Sequence, residues 1–127
     1  MKSVEDPLVK AKRFLKTANL DFKDGDYDST ASRCYYAMFH AADALLSTKG
    51  HRPKSHKGTI ALLGEHFIKR RELAASLGES LRKAYELRQR GDYELTEDVD
   101  REEAERMLGA ASEFIQGVED ALARIGK

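Results

Sequence analysis

Tryptophan is absent from the 127 residues, proline occurs twice, and there is a single cysteine, Cys34. One cysteine excludes an internal disulfide and with it the stapled scaffolds of small secreted proteins, which fits a reducing compartment. Net charge is also missing. Lys plus Arg and Asp plus Glu number 22 each, so nothing global draws the chain to nucleic acid or an anionic membrane, and such binding needs a local patch. No apolar run approaches the ~20 residues of a membrane span. The opening MKSVEDPLVKAKRF lacks the apolar core of a signal peptide. These absences predict a cytoplasmic protein with no membrane partner. Strand-like alternation and fixed-period repeats do not occur. Gly-rich phosphate loops, Gly-x-Ser-x-Gly elbows and the His-Glu-x-x-His or Cys–His spacings of metal sites are missing too, so neither metal nor cofactor is expected.

What remains is helix. Asp6-Pro7 predicts an N-cap and first position, followed by a stripe of Leu8, Ala11, Leu15, Ala18 and Phe22, closed by Gly25. Asp26 or Asp28 caps a second helix running to Lys49-Gly50. HRPKS is a connector, because Pro53 bars continuation. Ser55 caps a third helix with stripe Ile60, Leu63, Phe67 and Ile68, and the pattern breaks at Arg70 to Glu72. A fourth helix is expected over Leu73 to Arg90 and a loop over GDYELTED. Asp98 or Asp100 then starts a fifth, with the regular stripe Ala104, Met107, Leu108, Ala111, Ile115, Val118, Leu122 and Ile125. Long helices, short connections and no low-complexity linker predict an all-α fold. The expected architecture is an antiparallel bundle of four to five helices in one domain spanning residues 1–127.

The second helix carries the chemistry. At about 100° per residue, Ala31, Cys34, Tyr35, Met38, Phe39, Ala42, Leu45 and Leu46 form an apolar arc. Arg33, Tyr36, Ala37, His40, Asp43, Ala44 and Ser47 fall opposite. Small residues beside polar heads predict a face that something approaches closely. Arg33 and His40 lie two turns apart, about 10 Å along the axis. A two-fold axis near Tyr36 and Ala37 would set Arg33 of one copy opposite His40 of the other. Histidine would then serve as general acid or base on a ribose 2′-hydroxyl or a leaving oxygen, and arginine would grip the phosphate, a pairing suited to metal-independent RNA cleavage. On spacing alone, the same residues also suit a merely solvated surface. Two further groups leave similar alternatives. Arg88, Asp92 and Tyr93 suit either a helix-ending ion pair or a phosphate contact. Ser55, His56 and Lys57 suit either an ordinary cap or an anion-binding helix start.

The runs SRCYYAMFHAADALLSTKG, KSHKG and RQRGDY, in that order, resemble the HEPN domain family (higher eukaryotes and prokaryotes nucleotide-binding), in its small stand-alone prokaryotic branch. The resemblance implies a bundle of four or five helices and a homodimer. It further implies nucleotide or RNA association, possession of a minimal nucleotidyltransferase partner in a toxin–antitoxin pair, and metal-independent endoribonuclease activity. The family's Arg, four to six residues, then His falls on Arg33 and His40 as catalytic residues. Tyr36, His56, Lys57, Arg88, Asp92 and Tyr93 are the nucleotide- or phosphate-binding candidates. Cys34 after Arg33, and Ala41 and Ala42 after His40, differ from the polar residue and His-x-Tyr ending of the nuclease toxins. The alternative implied by that difference is a non-catalytic helical module that binds the nucleotidyltransferase.

Overall fold

Four of the five α-helices begin where side-chain chemistry supplies a cap. The computed structural model describes residues 6–93 and 99–126, and the side chains of all of these except 90–93. Helix α1 spans Pro7–Lys23, with Asp6 accepting from the Leu8 amide at 2.8 Å. Gly25 then takes φ of 78°, a conformation cheap only for glycine, and the chain reverses in three residues. Asp26 accepts from the Ser29 amide to start α2, Tyr27–Ser47. Ser55 Oγ accepts from the Gly58 amide at 2.9 Å to start α3, His56–Leu63. A capping box of Asp100 and Glu103 opens α5, Arg101–Ile125.

Among the described residues the five α-helices form an all-α bundle with no strand. Helix α2 is its centre and touches each of the other four. Its arc is buried as its period predicts, with Cys34, Tyr35, Met38, Leu45 and Leu46 sealed from solvent and Phe39 half-buried. Burial pushes the Cys34 thiol up to about 12, so it stays protonated and packs as a small apolar group.

The structure departs from the sequence expectation in three places. First, α3 does not carry its stripe to the end. It passes into a π-helical turn, Gly64–Ile68, that presents Phe67 to the core. Lys49 Nζ donates to the His66 carbonyl at 2.6 Å and to Glu72 at 3.0 Å, and lies 4.2 Å over the Phe67 ring. Secondly, α4 spans Ala75–Tyr93. It starts after Leu73, because Arg71 turns left-handed with φ of 60°. It also runs through Gly91, where a loop was expected. A glycine costs a helix about 1 kcal/mol but leaves the backbone N–H that proline would remove.

Thirdly, Ala37 and Ala44 are not a free face. They are 0% and 8% exposed within one chain. Asp21 pairs with Arg33, Phe14 packs on His40, and Lys10 acts on Asp43. That antiparallel register brings the sealed Ala18 and Ala11 to the level of Ala37 and Ala44. The partner that approaches α2 closely is therefore α1, and the two helices make the bundle's most extensive contact.

Candidate nucleotide-binding site around Tyr36

Tyr36 stands half-buried on α2 with polar and aromatic groups on two flanks. On the α1 flank, the Phe14 ring lies 6.2 Å from Tyr36 and 5.1 Å from His40. Arg33 reaches over the same ring at 5.8 Å, and its Nε is 3.8 Å from Asp21 Oδ2. Its side chain remains 48% exposed, so the cation is steered rather than consumed. Phe14, Ser29, Ser32, Arg33, Tyr36 and His40 line one open recess of about 460 Å³. Arg33 and His40 thus share a recess within a single chain.

The α3–α4 flank is tighter. The His56 ring packs 4.9 Å from Phe39, 5.7 Å from Tyr85 and 6.1 Å from Tyr36. Tyr35 hydroxyl and His56 Nδ1 are 2.5 Å apart. The Arg88 guanidinium lies 5.1 Å over Tyr36 and 6.0 Å over Tyr35, within cation–π range. Burial, reinforced by Arg88, lowers the His56 pKa, so the neutral imidazole is favoured. Burial above all, then the Tyr36 and Tyr85 phenols, pushes the Tyr35 phenol well up.

Five of the residues singled out from sequence, Arg33, Tyr36, His40, His56 and Arg88, therefore gather around one aromatic ring. Lys57 is exposed on the first turn of α3. Asp92 and Tyr93 end α4, and their side chains lie outside the described residues. The two-fold contact expected at Ala37 is corrected by the burial of that residue, since α1 already occupies the groove a second α2 would need. Among the described residues no three His, Cys, Asp or Glu side chains stand where they would hold a metal ion. No helix among them is long and apolar enough to cross a membrane.

The arrangement offers two cations, two imidazoles and a partly open set of rings. Rings of this kind stack bases, and arginines beside them hold phosphates. Comparison with known proteins gives the family. The HEPN domain model matches residues 4–121. The chain belongs to the HEPN domain family. A relative in Methanocaldococcus jannaschii, named "Putative toxin MJ0142", is 36% identical over 114 residues, covering 90% of this chain and 78% of its own length. A UPF0332 protein of Archaeoglobus fulgidus is 36% identical over 124 residues, covering 96% of this chain and 97% of its own. A UPF0332 protein of Thermotoga maritima is 29% identical over 110 residues, or 87% and 83% of the two chains.

Four residues of the cluster around Tyr36 carry little signal in the sequence. Tyr35 and Phe39 were assigned to the core because they lie on the apolar arc, yet a hydroxyl and a ring edge reach His56 from there. Phe14 stands three residues after Ala11 and four before Ala18, so it shares their stripe, but only the α1–α2 register shows that it meets His40. Tyr85 had one faint signal, its place three residues before Arg88 on the same helical face.

Proposed function

We propose that this HEPN protein binds RNA or a nucleotide in the recess around Tyr36 and cleaves RNA without metal, as the toxin of a pair with a minimal nucleotidyltransferase. The observation that carries the reading is the convergence of Arg33, His40, His56 and Arg88 on Tyr36. The naming of relatives as toxins supports the biological half. In the reaction, His40 accepts the proton of a ribose 2′-hydroxyl, whose oxygen attacks the adjacent phosphorus. The 5′-oxygen leaves and takes up a proton, giving a 2′,3′-cyclic phosphate and a free 5′-hydroxyl. Arg33 stabilises the charge that builds on the phosphoryl oxygens. The bases stack on Tyr36 and Phe14, and Arg88 and His56 hold a neighbouring phosphate. The active form is a homodimer that meets over the recess rim, at Arg33, Tyr36 and His40, not at Ala37.

The test is RNA binding and cleavage in EDTA by the full chain, with Arg33→Ala and His40→Ala beside it. Loss in both variants with unchanged helicity supports the assignment; undiminished activity in both overturns it. Light scattering decides the dimer.

A second reading is favoured by the packing of His40 among Phe14, Tyr36 and Phe39. There the chain is a non-catalytic module whose recess receives the nucleotidyltransferase. Stable co-purification with that partner and no cleavage at any RNA concentration would favour this reading over the first.

A further inference from the structure

Tyr35 is sealed from solvent, and its hydroxyl makes one hydrogen bond, to His56 Nδ1 at 2.5 Å. A buried O–H must find an acceptor. If Nδ1 carried the imidazole proton, it would donate to the phenol oxygen, and the phenol's own proton would have nowhere to go. The hydroxyl therefore donates, Nδ1 accepts through its lone pair, and the ring proton resides on Nε2. That nitrogen has no partner among the described residues. It belongs to a ring wedged between Phe39 and Tyr85, which keeps the imidazole from turning over.

We infer that Tyr35 is a positioning residue that locks His56 as the Nε2–H tautomer, so that His56 meets a phosphate oxygen beside Arg88 as a neutral hydrogen-bond donor. The phosphate half of this rests on the nucleotide reading above; the tautomer half does not. Among the described residues, the charge facing His56 is the Arg88 guanidinium from α4, and the remaining titratable neighbours, Tyr35, Tyr36 and Tyr85, are phenols. Burial first, and then the cationic charge of Arg88, opposes an imidazolium. The site thus pairs one permanent cation with one neutral donor. A phosphodiester held this way is gripped by Arg88 and oriented by His56 without a second positive charge, which leaves proton transfer to His40.

Long-range proton–nitrogen correlation on the uniformly labelled full chain at neutral pH reads the tautomer directly, before and after inorganic phosphate is added. The His56 signals are those missing from His56→Gln. In the wild type they show the Nε2–H pattern and move on phosphate addition. Tyr35→Phe removes the lock, so the pattern averages between tautomers and phosphate affinity falls severalfold. His56→Gln keeps an amide donor at the Nε2 position and retains the phosphate response at the Arg88 signals, whereas His56→Asn loses it. A wild-type His56 protonated on Nδ1, or averaging, overturns the lock. An unchanged pattern in Tyr35→Phe overturns the role of Tyr35. If that variant fails to fold, the wild-type pattern and the glutamine–asparagine contrast decide, and equal phosphate responses in the two overturn the donor role. Because the tautomer is read without ligand, a chain that locks His56 yet binds no RNA refutes the RNA reading and leaves the lock standing.

Discussion

On the α1 side of Tyr36, Arg33 and His40 line an open recess, with Arg33 steered by the Phe14 ring and a carboxylate 3.8 Å away. On the α3–α4 side, His56 is held by a 2.5 Å hydrogen bond, wedged between rings and shadowed by a guanidinium. Both flanks grow from the same helix and the same eight-residue stretch, Arg33 to His40. The difference lies in which neighbour covers them. α1 offers Phe14 and stops short, whereas α3 delivers His56 at its first residue onto a hydroxyl that α2 has already buried. The open side has room for a substrate, and its Arg33 side chain is 48% exposed. The closed side has strong commitments, and its groups are set before any ligand arrives.

This contrast is sharpest in catalysis. His40→Ala is expected to cut RNA cleavage ~10²–10⁴-fold, and Arg33→Ala to act comparably, while each lowers the unfolding free energy by about 1 kcal/mol. Cleavage in EDTA beside urea unfolding separates the two quantities. On the closed side the order reverses. Tyr35→Ala empties a fully buried site and orphans His56, and is expected to cost about 3–5 kcal/mol in chemical denaturation. If Tyr35→Ala proved as mild as Arg33→Ala, the two flanks would not differ as described.

Overpacking tests the α1–α2 seam beneath both flanks. Ala37→Leu is expected to destabilise by about 1–3 kcal/mol because α1 is already in contact there. A neutral Ala37→Leu that dimerises would restore a two-fold seam at that residue. The pH dependence is smaller. His56 titrates lower in the folded chain than its ordinary 6.5, so the unfolded state binds more protons as pH falls. Stability therefore declines from about pH 6.5 downward through the folded-state pKa. His56→Gln should flatten that slope in denaturation series at pH 7.5 and 5.5, whereas His40→Gln should leave the His56 share intact. The smallest effect is expected from Asp21→Asn, within ~1 kcal/mol in stability, with a measurable loss of RNA affinity if Asp21 aims Arg33.

The capped helix starts were legible because they rest on local chemistry. Asp6-Pro7, Ser55 and the Asp100–Glu103 box each satisfy backbone N–H groups within three residues, and nothing distant overrides them. The family motifs and the 3.6 period placed Arg33, Tyr36 and His40 on one face, and the structure keeps them there. What period cannot say is which neighbour covers a face. Ala37 and Ala44 read as an open seam until the register with α1 filled it. Tyr35 read as core because a buried ring and a working hydroxyl look alike from the sequence. Gly91 read as a stop, although one glycine only weakens a helix whose other residues favour it.

Cys34 lies one residue from Arg33 and one from Tyr35, sealed and protonated at the centre of the bundle. As the chain's sole thiol, it gives the folded protein no reactive sulfur, and alkylation waits until α2 parts from its neighbours. Its labelling rate, followed by mass spectrometry, is therefore a built-in clock for opening of the bundle at the very helix that carries the site.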